Sequence, residues 1–172
     1  DFILTNLRRK DGVLLHRYRD GEAAIPGHLD DFAFLVQGLI DLYQATYDLT
    51  YLEHASALTE EMLAHFLDTE DGGFYLTAAE NDDLPFRQKP SADAAIPSGN
   101  SVAFGNLLRL SWLTGRTEFA DHAFDAGRGF SRFLERAPEG HTMMLAWHEA
   151  LLMDPVEVII VGHRDSSDTQ EK

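Results

Sequence analysis

Residues 96–103 read IPSGNSVA, a cluster of Pro, Ser, Gly and Asn that runs directly into an apolar segment. Pro97 biases the residue before it toward an extended backbone, so a helix is expected to begin after it. Ser98 is a favoured cap for the free amides of a first turn, and Ser101 follows three positions on. Gly99 leaves room for another group to approach the backbone. The stretch predicts a polar helix start that can bind an anion or a hydroxyl; a capped, buried helix without a ligand is the alternative.

The length and composition are those of one globular domain. The chain has 172 residues, of which 44% are hydrophobic, enough for a substantial core. Its 29 acidic and 14 basic residues give a net charge of −15, which argues against a nucleic-acid or anionic-membrane surface. The absence of cysteine excludes disulfides, Cys-ligated zinc and thiol catalysis within this chain. We expect no nucleic-acid or membrane partner, no cofactor and a cytoplasmic location.

The chain is predicted to be truncated at both ends. It begins at Asp1 without Met or a signal-like segment, and residues 165–169 look like the start of another helix. No apolar run reaches the roughly 18 residues needed to span a bilayer. We interpret the chain as a piece of a longer protein.

Two helices of different character follow one another. Residues 30–47 are apolar on most sides, which is typical of a buried helix. Residues 51–67 are amphipathic instead, and Thr50 with Glu53 fits a capping box at their start. The pair is therefore interpreted as one inner and one outer helix.

This helical pair recurs 68 residues later. His54 aligns with His122, and residues 98–114 are again apolar on most sides. Residues 118–134 are again amphipathic, and residues 141–152 fit a third inner helix. Internal repeats of a helical hairpin predict that like units stack on one another.

Small β excursions are predicted in the connectors. Residues 11–16 (DGVLLH) resemble residues 71–76 (DGGFYL), each after an outer helix, and residues 20–21 are a turn signal. The connector over residues 69–97 is far longer than packing requires, which usually signals function. Residues 156–162 predict a C-terminal β-strand outside the repeat.

The predicted fold is mainly α, a partial α/α toroid with short β excursions. A complete six-hairpin ring needs about twice this chain at the observed repeat length, so about half a barrel is expected. Residues 1–153 are predicted to form this partial barrel, truncated at its N-terminal side. Residues 154–172 are predicted to begin a β-containing appendage that is itself truncated.

The repeat predicts that two inner-helix starts lie side by side, residues 28–31 (HLDD) and residues 97–100 (PSGN). Asp30 and Asp31 can act as an acid or base, accept hydrogen bonds from sugar hydroxyls, or bind a hard cation. The alternative is that one of them simply caps the helix and offsets its dipole.

Further candidates lie in the long connector. Lys89 and Asp93 can pair with each other or face the same cavity, and a surface salt bridge is the alternative. Phe74 can offer a stacking platform to a sugar, and ordinary packing is its alternative. The predicted catalytic residues are Asp30, Asp31 and Asp93, and the predicted binding residues are His28, Phe74, Lys89, Ser98, Gly99, Asn100 and Ser101.

The eight histidines show no HExxH or other zinc spacing, so no metal site is predicted. His54 and His122 occupy matching positions on outer helices and are expected to be structural. His148 lies on the predicted third inner helix, where it can act as an acid or base; packing or surface exposure is the alternative.

Several of these motifs resemble one known family. They are residues 27–35 (GHLDDFAFL), 71–74 (DGGF), 88–90 (QKP), 93–103 (DAAIPSGNSVA) and 158–162 (VIIVG). Together, over about residues 10–170, they resemble the C-terminal half of the thioredoxin-domain-containing family that includes spermatogenesis-associated protein 20 and its bacterial relatives. The Leu-Asp-Asp and Pro-Ser-Gly-Asn-Ser motifs are specific, whereas the Gly-Gly-Phe element is shared among sugar-active α/α barrels.

The resemblance implies a thioredoxin-like domain and a first half-barrel in the full-length protein, both absent here. It also implies a barrel similar to N-acylglucosamine 2-epimerase and to glycosidase-like toroids. The first hypothesis is thus a carbohydrate-active barrel, an epimerase, isomerase or glycoside hydrolase with a sugar-like ligand. The second is a non-catalytic ligand-binding or scaffold module that supports the missing thioredoxin-like domain.

A third hypothesis, a helical-repeat adaptor, fits less well because the connectors are unequal and the inner helices are apolar. A truncated ring would expose those inner helices, so the fragment is predicted to self-associate or to be only marginally stable.

Overall fold

A computed structural model describes residues 2–9, 12–80, 85–153, 161–162 and 166–167. Over these residues the protein is mainly helical with one small two-stranded sheet, which confirms the predicted class. In these ranges no helix is long and apolar enough to cross a membrane. The elements are α1 Phe2–Asn6, β1 Leu15–Arg19, β2 Glu22–Pro26, α2 Leu29–Thr46, α3 Leu49–Phe66, α4 Gly99–Thr114, α5 Thr117–Arg136, a 3-10 turn Pro138–Gly140 and α6 Thr142–Leu152.

The helices form an inner and an outer layer. Helix α4 packs between α2 and α6, while α3 packs on α2 and α5 packs on α4. Every residue of α4 from Gly99 to Leu108 is buried, whereas α5 buries one face only. An ion pair between Glu60 and Arg116 links the two outer helices. The helical hairpins predicted from the repeat are therefore present, with α4 at the centre of the core.

The helix boundaries follow local capping chemistry. Ser98 caps α4 as predicted, because its Oγ accepts a hydrogen bond of 3.1 Å from the Ser101 amide. The capping box predicted at Thr50 was wrong. Asp48 caps α3 instead, and its carboxylate accepts a hydrogen bond of 3.0 Å from the Thr50 amide. An aspartate two residues upstream is a strong N-cap, so the helix begins two residues earlier than predicted.

The predicted β excursions are short. Strands β1 and β2 pair antiparallel around Asp20 and Gly21, both of which have positive φ, the backbone that a two-residue hairpin turn requires. The second excursion is a single bridge between Leu67 and Phe74. The strand predicted at residues 156–162 lies outside the described residues apart from 161–162, and most of the predicted appendage does too.

Alanine at Gly105 is expected to lower the free energy of unfolding by about 1–3 kcal/mol. A Cβ there would lie 2.1 Å from Cε2 of Trp147, at the contact between α4 and α6. Gly38, inside α2, is the matched control because nothing lies within 4 Å of its Cβ position. Alanine at Gly38 should stabilise the helix by about 0.5–1 kcal/mol. Urea unfolding of both variants measures the difference, and equal effects would contradict the close helix approach.

Candidate functional site

The starts of α2 and α4 lie directly against each other. A Cβ on Gly99 would lie 2.1 Å from Oδ1 of Asp30 and 3.1 Å from Cγ of Leu29. Because real side chains do not approach so closely, glycine is required at this position. The side-by-side arrangement of the two helix starts therefore follows the 68-residue repeat, as predicted.

Asp30 has an unusual environment for a carboxyl group. Its Oδ1 is buried and has no hydrogen-bond partner among the described residues. Burial raises the pKa of Asp30 and the nearby Asp31 carboxylate raises it further, while the Gly99 backbone and His28 lower it in part. Such a carboxyl keeps its proton to a higher pH than an ordinary aspartate, which suits a hydrogen-bond donor or a general acid.

Asp31 both caps the N-terminus of α2 and forms hydrogen bonds with His16. Its Oδ2 accepts a hydrogen bond of 2.8 Å from the His28 amide, the capping role weighed as an alternative. Its two carboxylate oxygens also lie 2.9 and 3.0 Å from Nδ1 of His16. Nδ1 of His28 lies 3.8 Å from the same Oδ2. One carboxylate thus faces two imidazole rings.

His16 is the site residue that the sequence interpretation missed. It lies on β1, where Leu15 pairs with Pro26, so the hairpin returns its first strand to the start of α2. The His16 and His28 rings meet edge to face with centroids 5.2 Å apart. The signal was available, because a turn at residues 20–21 predicts that residue 16 lies opposite residue 25. A search for zinc-motif spacing does not find His16 and His28, because strand pairing and not helical periodicity brings them together.

The site borders two cavities. One, of about 700 Å³, has a wall that includes His16, Asp30 and Asp31. Its other lining residues are mostly apolar and come mainly from α1, α2 and the β1 region, with Tyr51 of α3 and Ile96 of the connector. The second, of about 750 Å³, lies on the other side of the hairpin and includes His28 and His65. The His16–Asp31–His28 cluster therefore lies where both cavities can be reached.

Asp93 does not face the cavity that Asp30 lines. Its carboxylate accepts hydrogen bonds from the Ser98 amide at 3.0 Å, the Ser101 hydroxyl at 2.8 Å and the Met143 amide at 2.8 Å. The start of α4 therefore already binds the protein's own carboxylate. The anion or hydroxyl cradle predicted from residues 98–101 is occupied by the connector, because Asp93 folds back onto the helix N-terminus.

Asn100 is also engaged internally. It is 1% exposed, donates to the carbonyls of Phe74 at 2.9 Å and Pro90 at 2.7 Å, and accepts from the Phe74 amide at 2.8 Å. Phe74 itself is fully buried in the core. The stacking platform predicted at Phe74 is therefore corrected to the packing alternative, since a buried ring has no face open to a sugar.

Lys89 binds Asp68 rather than Asp93. Its Nζ lies 2.6 Å from Asp68 Oδ2 and 2.8 Å from the Gly72 carbonyl. Burial alone would raise the pKa of Asp68, but the hydrogen bonds from Lys89 and from the Asp71 and Glu70 amides lower it to about 2. The predicted pairing with Asp93 was wrong, because the turn after α3 presents a better buried carboxylate to Lys89.

His148 occupies a packing position. Its ring lies 4.7 Å from the Phe104 ring, centroid to centroid, and its Nδ1 lies 3.0 Å from the Met144 carbonyl. These contacts support the packing alternative. Of the predicted residues, the structure therefore brings together Asp30, Asp31, His28 and Gly99, while Asp93, Lys89, Phe74 and Asn100 secure the connector.

Comparison with known proteins finds relatives over most of the chain. The chain is 37% identical to spermatogenesis-associated protein 20 of Rattus norvegicus over 145 residues, 84% of the chain. It is 36% identical to the Homo sapiens protein of that name over the same number of residues. The chain is homologous to spermatogenesis-associated protein 20. This homology supports the family that the motifs resemble.

The homology covers a small part of the relatives. The matched segment is 18% of the length of both spermatogenesis-associated protein 20 sequences, so the chain spans about a fifth of either relative. An uncharacterised Caenorhabditis elegans protein is 31% identical over 118 residues, 69% of the chain. No protein-family model matches the chain.

Proposed function

We propose that this chain is part of a carbohydrate-active α/α barrel in which Asp30 takes part in acid–base chemistry on a sugar-like ligand. One observation carries the proposal. Asp30 lines a cavity of about 700 Å³, and its Oδ1 is buried without a hydrogen-bond partner among the described residues. Buried polar atoms normally have a partner, and exceptions concentrate at functional sites.

The neighbouring groups supply what such chemistry needs. Epimerases and glycosidases require an acid and a base on either side of the reacting carbon. His16 and Asp31 line the same cavity as Asp30. Asp31 is therefore the second carboxyl of the proposal in place of Asp93, whose oxygens already accept three hydrogen bonds.

The barrel is inferred from the repeat. The helices α2, α4 and α6 pack in sequence, and α2 together with α1 lines the cavity of about 700 Å³. An inner helix of a preceding hairpin would pack on the cavity side of α2, as α4 packs on α2. The missing half-barrel, the thioredoxin-like domain and self-association of this fragment stay predictions.

A non-catalytic ligand-binding or scaffold module is the second candidate. The observation that favours it is the mostly apolar lining of the cavity. The polar groups at the start of α4 are moreover held by their own connector. In this candidate the cavity receives a hydrophobic part of the longer protein or of a ligand, and no bond is broken.

Asparagine at Asp30 is expected to lower turnover by about 100-fold or more in the full-length protein, because an amide cannot transfer the proton. A thermal-shift screen of sugars and sugar phosphates identifies the ligand, and a turnover assay on that ligand gives the rate. Asp20→Asn is the control, since that carboxylate is 87% exposed at the hairpin turn. Ligand binding without any turnover in the unmodified protein would favour the second candidate, and full activity in Asp30→Asn would refute the role of Asp30.

A further inference from the structure

We propose that His16, His28 and Asp31 form a binding site for a divalent first-row transition-metal ion. Each residue offers one ligand atom, and the three atoms lie within 4.8 Å of one another. Within the described ranges this is the one group of three or more His, Asp or Glu side chains with that spacing. The spacing of the histidines along the chain predicted no metal site. His16 nevertheless comes close to His28, because β1 pairs with β2 and His28 follows β2.

Two of the three ligand-atom separations are close to those of a metal site, and the third is within 4.8 Å. Ligand atoms bound to one tetrahedral zinc ion at 2.0–2.1 Å lie about 3.3 Å apart. His16 Nδ1 lies 2.9 Å from Asp31 Oδ2, and His28 Nδ1 lies 3.8 Å from the same oxygen. These two separations fall on either side of the ideal value. An ion bound between Asp31 and His16 would take the place of the hydrogen bond that joins them.

The backbone holds the three ligands in place without the ion. The His28 amide donates to Asp31, which fixes the carboxylate against the start of α2. His16 is held by the pairing of β1 with β2, and the Gly27 amide donates to the Leu14 carbonyl at 2.8 Å. Both ends of the hairpin are thus tied to the helix start, so little chain entropy is lost when the ion binds.

The donor types select the class of metal. Two imidazole nitrogens and one carboxylate oxygen suit zinc, iron(II), cobalt or nickel, whereas calcium and magnesium prefer ligand sets made of oxygen. The side chains of His16, His28 and Asp31 are 48%, 36% and 23% exposed, so an ion has access from solvent. Three protein ligands also leave a coordination position open for water or a ligand, on the side where His16 and Asp31 line the cavity.

The test is calorimetric titration of the full chain with ZnCl₂ in a non-chelating buffer, followed by cobalt(II) absorption spectra. One zinc ion per chain is expected to bind with micromolar or tighter affinity, and His16→Ala or His28→Ala should weaken it by at least about ten-fold. His65→Ala is the matched control. His65 is a half-exposed histidine bound to Glu80 at 2.8 Å, and among the described residues it belongs to no such group of three, so its loss should leave the affinity unchanged.

His16 lies on an exposed strand position, so His16→Ala is expected to fold, and its circular dichroism melting curve checks this. The proposed site would be refuted if the unmodified chain did not bind zinc. It would also be refuted if both His16→Ala and His28→Ala kept the zinc affinity of the unmodified chain. Cobalt spectra without the intense d–d bands of a four- or five-coordinate ion would likewise overturn it. The metal site shares Asp31 and His16 with the proposed function, but metal binding is measured without turnover, so the failure of one is distinguishable from the failure of the other.

Discussion

Replacing Asn100 by alanine is expected to lower the free energy of unfolding by about 3–5 kcal/mol, at the upper end of single-residue effects. The substitution leaves two buried backbone groups without their Asn100 partner, the amide and carbonyl of Phe74, and also the partly buried carbonyl of Pro90. Each buried orphan group costs about 1–3 kcal/mol, and the three losses are not additive. Denaturant unfolding monitored by circular dichroism measures the change.

Asn106 offers a graded control on the same helix. It is also buried, but its side chain donates one hydrogen bond, of 2.7 Å, to the Ala33 carbonyl. Alanine at Asn106 should therefore cost about 1–2 kcal/mol. Similar losses of unfolding free energy in the two variants would show that the three hydrogen bonds of Asn100 do not stabilise the connector.

Asparagine at Asp68 is expected to lower stability by about 2 kcal/mol at neutral pH, and this difference should vanish in acid. The pKa of Asp68 is about 2 in the folded chain against an ordinary value of 3.8 for an aspartate, so the unfolded chain binds the proton more readily. The stabilisation is therefore complete well above 3.8, and it is lost as the pH falls from there toward 2. A shift of this size corresponds to about 2 kcal/mol.

Urea unfolding of the unmodified chain and Asp68→Asn across this acid range gives the measurement. Asp41→Asn is the matched control, because Asp41 also pairs with a cation, Arg109, but its side chain is 58% exposed. An exposed pair contributes about 0–1 kcal/mol, so the control should change little. A pH-independent difference between the unmodified chain and Asp68→Asn would contradict the buried ion pair with Lys89.

Local sequence signals account for the helices and their order. The periodicity of apolar residues predicted α2, α3, α4, α5 and α6 within a few residues of the observed bounds, because burial of one face fixes the period. The cap of α3 was predicted wrongly, because Asp48 and Thr50 are both residue types that cap helices and the structure uses Asp48. The 68-residue repeat also predicted that the starts of α2 and α4 meet, since equivalent helices stack in equivalent ways.

The partners of polar side chains followed from sequence less well. Lys89 and Asp93 lie four residues apart, yet each binds a group that is distant in sequence, Asp68 for Lys89 and Met143 for Asp93. Spacing along a connector without regular structure carries no periodicity, so it does not show which group a side chain meets. Asn100 and Phe74 similarly form one structural unit rather than parts of a ligand site.

The sequence by itself determined a mainly helical protein with repeated hairpins, a glycine at the contact of two helix starts, and the pair Asp30–Asp31 at that contact. These features depend on periodicity, capping and backbone freedom, which are local properties of the chain. The tertiary structure alone decided that His16 joins His28 and Asp31, and that the polar start of α4 binds its own connector. Both outcomes depend on how loops fold back onto helix ends, and long-range packing controls that geometry.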